Sequence, residues 1–421
     1  MQVYKFGGAS IATPERMQAL LPIIEYAGKD LVVVVSAYGK TTNALEAIVN
    51  DANEGKRDEA LLKLAALEEA HNTYAAKVLT VKGYEELKQK LNEYYTEMHW
   101  ALDDAGVQTP DYVYDQIVCI GEILSTSIFS AFLNEQGYTN QWLDARDIIR
   151  TDERYREPDV DFEFSKKQVQ KLMVPALQKC GMVVTQGFIG STADNNSTTL
   201  GREGSDYSAA LFAAMLPAQS VSIWKDVEGL LNADPKLFPN TVKIEEITYH
   251  EVIEMAYYGA QVIHPKTIKP LQNANIPLYV KCFLDANLKG TAIQNKTDTF
   301  VYPPLIILKK DQVLLQITSR DFSFITEENL RNLYDIFHGQ HVKINLIQNA
   351  AISLVVCVDN REEKIKLLVG ELEKDYKVLK NEDVQLLTIR HYTPSIMEEM
   401  TKGRVILLEQ KTRQTVQVVI K

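Results

Sequence analysis

The segment Leu31-Val32-Val33-Val34-Val35 decides the fold class of this chain. A continuous apolar and mostly β-branched run is typical of a strand that is buried on both faces of a parallel sheet. Residues Gln2–Phe6 have the same β-rich character, and Thr13 followed by Pro14 provides the N-cap and the first position of a helix before the second strand. The sequence therefore opens as strand, helix and strand, which is typical of an α/β domain.

The alternation of strands and helices continues along the chain. Residues 56–107 are rich in Ala, Leu, Glu and Lys at helical spacing, and a further helix is predicted at about Tyr112–Glu135. Strand-like segments return near Asn140–Leu143, Met182–Gln186 and Val221–Trp224, each followed by a loop and a helical pattern. We therefore predict an α/β fold with a mainly parallel central sheet and helices on both faces.

The pattern changes at residues 286–303, where turn-forming residues occur without periodicity. We place a linker there, between a catalytic domain at 1–285 and a further region at 304–421. The latter reads twice as strand, helix, strand, strand, with the second round shortened and the rounds beginning at Val313–Thr318 and Val384–Ile389. Two such rounds predict small α+β, ferredoxin-like modules.

Composition and charge exclude several classes of protein. A chain of 421 residues with 46% hydrophobic residues allows two or three well-packed domains. The net charge of −11, with no basic stripe, argues against nucleic-acid binding. No signal-peptide pattern and no apolar run long enough to span a bilayer are visible, so we expect no membrane partner. The four cysteines have no metal or redox spacing, and we expect a cytoplasmic protein with reduced thiols.

The segment Lys5-Phe6-Gly7-Gly8-Ala9-Ser10 lies where the first strand meets the first helix. Its glycines let the backbone approach a phosphate closely, and consecutive N–H groups there form an anion-binding concavity. A lysine at the strand end can stabilise the charge of a phosphoryl group in transfer. Taken alone, two glycines between a strand and a helix more often form a simple tight turn. The nearby Gly39-Lys40-Thr41 is not a P-loop, because Val34 stands where that motif needs its first glycine.

A second glycine-rich region follows the strand at 182–186. It contains Gly187-Phe188-Ile189-Gly190 and then Thr198–Tyr207, and we predict a helix that begins with Ser205 or Asp206 as its N-cap. Helix N-termini attract anions, and the planar fork of Arg202 suits bidentate binding of a carboxylate. A glycine-rich loop with an ordinary helix cap remains the alternative interpretation.

These segments together resemble the aspartate kinases, which usually open with Lys-Phe-Gly-Gly-Thr-Ser. Further blocks occur in the family's order, namely Val34-Val35-Ser36-Ala37 with Thr42-Asn43, Gly121-Glu122 with Ser125-Thr126, Gly187-Phe188-Ile189-Gly190, Leu200-Gly201-Arg202 and Gly259-Ala260-Gln261-Val262-Ile263-His264-Pro265. The blocks run from residue 1 to about 285. The C-terminal modules are similar to the ACT domains that such kinases carry as amino-acid sensors, so the resemblance implies an amino-acid kinase fold followed by ACT-like modules.

The resemblance implies transfer of the γ-phosphoryl group of ATP, with Mg²⁺ on the phosphates, to the β-carboxylate of L-aspartate. This reaction is the first step of lysine, threonine and methionine biosynthesis. Lys5 and Asp206 are the implied catalytic residues. The implied substrate-binding residues are Thr42, Glu122, Arg202 and Ser205, with Arg202 suited to the α-carboxylate and Glu122 to the α-ammonium group. The implied ATP-binding residues are Lys5, Gly7, Gly8, Ser10, Ser36, Lys225, Asp226, Leu231, Lys236 and Gln261. No metal ligand from the protein is expected, and His264 is expected to be structural.

Several positions depart from the family pattern. Glu203 stands where the family has the second glycine of Gly-Arg-Gly-Gly-Ser-Asp, so a position with φ > 0 would strain it, and its charge would disfavour an anionic substrate. Lys225, Leu231, Lys236 and Gln261 replace residues that are more usual at the nucleotide.

The resemblance also implies regulation and assembly. ACT modules commonly bind a small amino acid across a dimer, so we expect a homodimer or larger homo-oligomer with lysine or threonine as effector. Asn345 stands where the usual feedback site has an aspartate. Three alternatives remain open: a related kinase, such as an acetylglutamate or glutamate 5-kinase; a catalytically weak regulatory protein that binds amino acids; and ACT-like modules that only dimerise.

Overall fold

The computed structural model describes residues 1–296 and 301–421, and the chain forms two compact units. The described residues of the first unit are 1–230, 245–253 and 262–296. Those of the second unit are 231–244, 254–261 and 301–421. Each unit is built around its own large sheet.

The first unit contains a large, mainly parallel sheet. Its strands, with those of a separate hairpin, are β1 (Gln2–Phe6), β2 (Leu31–Val35), β3 (Gln141–Leu143), β4 (Met182–Gln186), β5 (Ile189–Ser191), β6 (Ser197–Thr199), β7 (Ser220–Lys225), β8 (Glu246–Thr248), β9 (Leu278–Cys282) and β10 (Thr291–Gln294). The eight-stranded sheet has the order β3-β4-β2-β1-β7-β9-β10-β8, while β5 and β6 pair antiparallel. Among the described residues of the large sheet, β9 and β10 pair antiparallel and the other neighbouring strands pair in parallel. The predicted sheet is confirmed.

Strand β2 lies in the interior of this sheet, as its sequence indicates. All five of its residues are 0% exposed, which requires both faces of the strand to be covered. It pairs in parallel with β1 on one side and with β4 on the other, so that Val34 lies opposite both Lys5 and Thr185. This register fixes the position of Lys5 along the sheet, one residue before the end of β1.

Helices connect and cover these strands. They are α1 (Pro14–Ala19), α2 (Leu21–Ala27), α3 (Thr41–Asn53), α4 (Arg57–Val78), α5 (Val81–Asp103), α6 (Pro110–Glu135), α7 (Phe162–Gln168), α8 (Val174–Cys180), α9 (Gly204–Met215), α10 (Tyr249–Tyr258) and α11 (Pro265–Ala274). The last of them but one, α10, continues into residues 254–258 of the second unit. The side chain of Thr13 caps α1 by accepting a hydrogen bond from Arg16 N, and Pro14 follows it, as predicted. The helical region predicted at 56–107 is the pair α4 and α5.

Helix α6 passes through the core of the first unit. The expectation that no apolar run is long enough to span a bilayer was wrong for α6, which matches a membrane-crossing helix by length and apolar composition alone. However, 89% of its most apolar stretch is buried inside the protein. A helix that is apolar on all sides and covered by protein is a core helix. Its burial also places Asp115 and Glu122, which lie on this helix, in a region of low solvent access.

The C-terminal region of the second unit is an antiparallel sheet with helices. Its elements are β11 (Leu305–Ser319), α12 (Glu327–Gly339), β12 (Ile344–Asn349), β13 (Ser353–Asp359), α13 (Glu362–Leu372), β14 (Tyr376–Arg390), α14 (Pro394–Thr401), β15 (Ile406–Lys411) and β16 (Thr415–Ile420). The six-stranded sheet has the order β12-β13-β11-β14-β16-β15. Both predicted rounds are present, but β11 and β14 are longer than predicted and pair with each other along both rounds.

The sequence did not indicate which parts of the chain join the second unit. Ile306 N donates to Asn232 O (2.7 Å), and Glu254 accepts a hydrogen bond from Arg390 (2.7 Å), so residues 231–244 and 254–261 pack with the C-terminal region. Contacts between residues so distant in sequence leave no local pattern.

Part of the predicted linker is regular structure. Within 286–303, the four residues of β10 pair with β8 and β9. A strand of four residues is too short to show periodicity. Residues 297–300 of that linker lie outside the described residues.

Candidate active site

A cavity of about 690 Å³ opens in the first unit at the carboxyl ends of β1, β2 and β7. This edge of a parallel sheet is where α/β proteins usually bind ligands. The predicted residues that line the cavity are Lys5, Ser36, Thr42, Glu122, Arg202, Ser205, Asp206 and Lys225. Residues that are distant in sequence and were predicted from separate motifs therefore meet in one place.

The centre of the cavity is an ion cluster. Lys5 Nζ lies 2.7 Å from Asp206 Oδ1, and Lys225 Nζ lies 3.7 Å from Asp206 Oδ2. Burial acts to raise the pKa of Asp206, but the two ammonium groups outweigh burial and hold that pKa below its usual value. The cluster carries one net positive charge at neutral pH and is therefore suited to an anion.

The turn after β1 lies beside this cluster. A Cβ atom on Gly7 would lie 3.6 Å from Lys5 Nζ, so the glycine backbone runs close to the ammonium group. A Cβ atom on Gly8 would lie 2.3 Å from Ala37 O, which leaves no room for a side chain. Gly39 N also donates to Gly8 O (3.0 Å), so the turns after β1 and β2 are tied together.

Ser10 is placed differently from Gly7 and Gly8. It is 1% exposed, and its hydroxyl group donates to the carbonyl oxygen of Gly7 at 2.6 Å. The hydroxyl group therefore stabilises the turn from inside, whereas Ser10 was predicted to contact a phosphate. The backbone N–H of Ser10 also donates to Gly7 O (2.9 Å).

Glu122 is a buried carboxylate that reaches the cavity from α6. Its Oε1 atom accepts a hydrogen bond from Ala37 N (3.2 Å), while its Oε2 atom has no partner among the described residues. Burial raises the pKa of Glu122 to about 8, although the Ala37 N–H and the charge of Lys5 act in the opposite direction. A buried carboxylate with one free oxygen is suited to a cationic ligand.

The loop before α9 corrects the predicted helix start. The helix begins at Gly204, and its N-cap is Glu203, so Ser205 and Asp206 lie in the first turn and are not caps. Glu203 has φ 54° and ψ 28°, the left-handed conformation that was suspected for this position. Its carbonyl oxygen accepts hydrogen bonds from Asp206 N (3.0 Å) and Tyr207 N (3.1 Å). This tight turn brings Arg202 to the rim and Asp206 to the floor of the cavity.

The remaining predicted residues lie elsewhere. Asp226 follows Lys225 at the end of β7 and is exposed. Leu231, Lys236 and Gln261 belong to the second unit, so their roles at the nucleotide stay predictions. Lys236 N donates to Asp234 Oδ1 (2.9 Å) within a local turn.

Other residues that line the cavity were not predicted to bind ATP or substrate. They are Glu46, Tyr114, Arg156, Glu157, Phe188, Thr199, Gly201, Glu203 and Gly204. Tyr114 lies two helical turns before Glu122, and this spacing was the available signal. Phe188 has φ 71° directly after Gly187, a conformation that no sequence pattern indicates.

A buried carboxylate next to the cavity holds two of these residues. Asp115 accepts hydrogen bonds from Thr199 N (2.9 Å), Thr199 Oγ1 (2.5 Å) and Arg156 N (2.9 Å). Burial raises the pKa of Asp115 to about 6 even against these bonds. The sequence alone, with an isolated Asp in an apolar helix, gave no reason to select it.

Comparison with known proteins places this geometry in a family. The model of the amino acid kinase family matches residues 1–282. The lysine-sensitive aspartokinase 3 of Escherichia coli is 33% identical over 360 residues, which cover 85% of this chain and 78% of that protein. A chloroplastic aspartokinase 2 of Arabidopsis thaliana is 30% identical over 399 residues, 88% of this chain and 70% of that protein.

Solved structures agree. The E. coli aspartokinase III in complex with aspartate and ADP superposes with a TM-score of 0.82 at 28% identity, over 100% of this chain and 96% of that one. The same enzyme in complex with lysine and aspartate gives a TM-score of 0.82 at 27% identity, over 100% and 95%. Sequence, fold and cavity thus converge, and this chain belongs to the amino acid kinase family, among its aspartokinases.

Proposed function

We propose that this chain transfers the γ-phosphoryl group of ATP to the β-carboxylate of L-aspartate and forms 4-phospho-L-aspartate. The observation that carries the proposal is the meeting of the Lys5–Asp206–Lys225 cluster with Glu122 and Arg202 in one cavity. The Lys5–Asp206–Lys225 cluster is suited to a phosphate in transfer, and Glu122 with Arg202 is suited to a zwitterionic amino acid. The aspartokinase relatives support the same assignment.

The aspartate would be held by complementary charges. The free Oε2 atom of Glu122 is suited to the α-ammonium group, and the guanidinium group of Arg202 is suited to the α-carboxylate. The hydroxyl groups of Thr42 and Ser205 line the same cavity and offer hydrogen bonds to the substrate. These contacts would leave the β-carboxylate directed toward Lys5.

The transfer needs positioning and charge stabilisation, without a separate general base. The β-carboxylate is already ionised at neutral pH, so its oxygen attacks the γ-phosphorus as the bond to the β-phosphate oxygen breaks and ADP leaves. Lys5 and Lys225 would stabilise the negative charge of the transferring group. Asp206 would keep both ammonium groups in place, since it pairs with each of them.

The nucleotide would enter as its magnesium complex. Mg²⁺ in kinases is usually bound by substrate phosphates and one or two carboxylates. Asp206, which pairs with Lys5 and Lys225, would be the carboxylate beside the phosphates. Among the described residues no cluster of three or more His, Cys, Asp or Glu side chains could hold a metal ion. A single carboxylate together with the phosphates of ATP fits a magnesium ion that arrives with the nucleotide.

The rest of the nucleotide site follows the family resemblance. Gly7, Gly8 and Ser36 would form the phosphate-binding turn, supported from inside by Ser10. The further contacts to ATP would come from Asp226, Leu231, Lys236 and Gln261.

Regulation and assembly form the remaining part of the proposal. Aspartokinase III of E. coli has been solved with lysine bound. We propose that the ACT-like region of this chain binds an amino-acid effector, lysine or threonine. We further propose that the protein forms a homodimer or a larger homo-oligomer and that it is cytoplasmic.

The first test is ATP-dependent formation of aspartyl hydroxamate, in which hydroxylamine traps the acyl phosphate. We expect a signal with aspartate but not with glutamate, and its loss in Lys5→Ala by at least about 100-fold, because an electrostatic stabiliser of the transition state is removed. Lys40→Ala is the matched control, since Lys40 is exposed and does not line the cavity.

Each outcome of this test decides between functions. Hydroxamate from glutamate in place of aspartate would indicate a related amino-acid kinase. No product from the wild-type protein, together with intact ATP binding, would support the regulatory alternative, for which Glu203 beside the anionic substrate is the favouring observation.

A further inference from the structure

The turn that carries Arg202 and Asp206 contains a residue in an unfavourable conformation. Glu203 has φ 54°, in the left-handed region that glycine adopts without steric cost and that other residues avoid. Its side chain makes no capping bond to the helix that it precedes. A residue held in such a conformation needs a compensating contact.

The compensating contact joins two separate segments of the first unit. The Oε2 atom of Glu203 accepts a hydrogen bond from His264 N at 2.8 Å. His264 is the N-cap of α11, where its Nδ1 atom accepts a hydrogen bond from Lys266 N (3.2 Å). The carboxylate of Glu203 thus connects the start of α9 with the start of α11, and these two helices pack against each other.

Both connected segments contact the ion cluster. On one side, the Glu203 carbonyl oxygen accepts from Asp206 N (3.0 Å). On the other side, Val262 O lies within hydrogen-bond distance of Lys225 Nζ (3.4 Å). Because Lys225 also pairs with Asp206, the contacts form a closed ring that includes Glu203 and His264. Arg202, directly before Glu203, is exposed and lines the same cavity.

We propose that Glu203 is a positioning residue for aspartate, and that its carboxylate acts as a hydrogen-bond acceptor which fixes the Arg202 turn against α11. The inference rests on the proposed function, because it assigns Arg202 to the substrate carboxylate. The charge of Glu203 is not the required property. What is required is an acceptor oxygen on a side chain as long as glutamate, so that it can accept the hydrogen bond from His264 N.

Three substitutions separate these properties. Glu203→Gln keeps the length and an acceptor oxygen but removes the charge. Glu203→Asn tolerates the left-handed conformation but is one methylene too short to reach His264 N. Glu203→Gly removes the side chain and relieves the backbone strain. The measurements are KM for aspartate and kcat, from hydroxamate formation, and the melting temperature of each protein.

We expect Glu203→Gln to stay close to the wild-type KM. We expect Glu203→Asn and Glu203→Gly to raise KM for aspartate by about 2- to 12-fold, the range for losing one hydrogen bond, with a smaller change in kcat. The melting temperature of Glu203→Gly should be equal to or above that of the wild type. Weaker substrate binding in a protein that is not destabilised is a result that a purely structural role would not produce.

Two results would overturn the inference. A wild-type KM in Glu203→Asn and Glu203→Gly would show that the bond to His264 does not position the turn. A KM in Glu203→Gln as high as in Glu203→Gly would show that the charge is required. Failure of the proposed function is distinguishable from both, because the wild-type protein would then give no aspartyl hydroxamate.

Discussion

Glu122 shows how a single residue links substrate binding to pH. Its carboxyl group is buried in α6, and burial raises its pKa to about 8 from an ordinary value of 4.5. Only the ionised form can pair with an ammonium group. The free protein must therefore lose a proton before aspartate binds at neutral pH.

The first consequence is a pH-dependent KM. We expect KM for aspartate to rise as the pH falls below about 8, because a growing fraction of the free protein carries a protonated Glu122. Glu122→Gln should bind aspartate weakly at every pH and remove this dependence. A wild-type KM that stays flat between pH 6 and pH 9 would contradict the assignment of Glu122 to the ammonium group.

The second consequence concerns stability. The folded-state pKa of Glu122 lies above its unfolded value, so the folded protein retains a proton that the unfolded chain releases, and stability falls as the pH rises from 4.5 to about 8. Glu122→Gln, which keeps an acceptor for Ala37 N, should therefore melt higher than the wild type at pH 9 and show a smaller difference at pH 5. Thermal unfolding at both pH values tests this expectation.

At the scale of elements, the turn after β1 depends on its contact with the turn after β2. We expect Gly8→Ala to weaken ATP binding and to destabilise the protein by about 1–3 kcal/mol, since the new methyl group would overlap Ala37 O. Calorimetric titration with ATP and thermal melting measure the two effects.

The matched control for this change is Gly370→Ala. Gly370 lies within α13, and a Cβ atom there meets nothing within 4 Å, so alanine should leave ATP binding unchanged and raise helix stability by up to about 1 kcal/mol. Equal effects of the two substitutions on ATP binding would refute the role assigned to the turn.

Local sequence patterns predicted the elements well where a pattern extends over enough residues. Strand β2 and helix α6 have continuous apolar character, and both were predicted to within a few residues. Strand β10 has only four residues and was assigned to a linker. The left-handed conformation of Glu203 was suspected from the glycine that the family has at this position. The role of Asp115 depends on contacts with distant segments, so no local pattern indicated it.

At the scale of the whole molecule, the second unit contains a polar network around Asn345. The side chain of Asn345 accepts a hydrogen bond from Lys309 Nζ (2.8 Å) and donates to Gln312 (2.8 Å) and Asp359 (2.8 Å). Burial acts to raise the pKa of Asp359, but the bonds from Gln312 and Asn345 and the charge of Lys309 hold it below its usual value.

This network predicts the effect of restoring the family's residue. Asn345→Asp would remove the donor to Asp359 and place two carboxylates side by side, so we expect a loss of about 1–3 kcal/mol at neutral pH. The like charge would raise the pKa of the introduced carboxyl group, so the loss should shrink as the pH falls below about 5. Melting curves of the wild type and the variant across pH test this, and an unchanged melting temperature would contradict it.

The effector is tested on the whole protein. Lysine and threonine are titrated separately, up to millimolar concentrations, against aspartyl hydroxamate formation. We expect one of them to lower the rate, and no response to either would refute the amino-acid effector and leave an ACT-like region that only dimerises.

The pairing of β11 with β14 sets how the second unit folds. The pairs between these strands run from Leu305 with Arg390 to Ser319 with Tyr376, and they span both rounds of helix and strand. Such long-range pairs close large loops and form slowly, whereas β12 and β13 are near neighbours in the sequence and can pair early. Because β11 and β14 pair with each other along both rounds, each round uses part of both strands, and neither round has a complete sheet of its own. The repeat visible in the sequence is therefore not a repeat in folding, and we expect the two rounds to gain and lose their structure together.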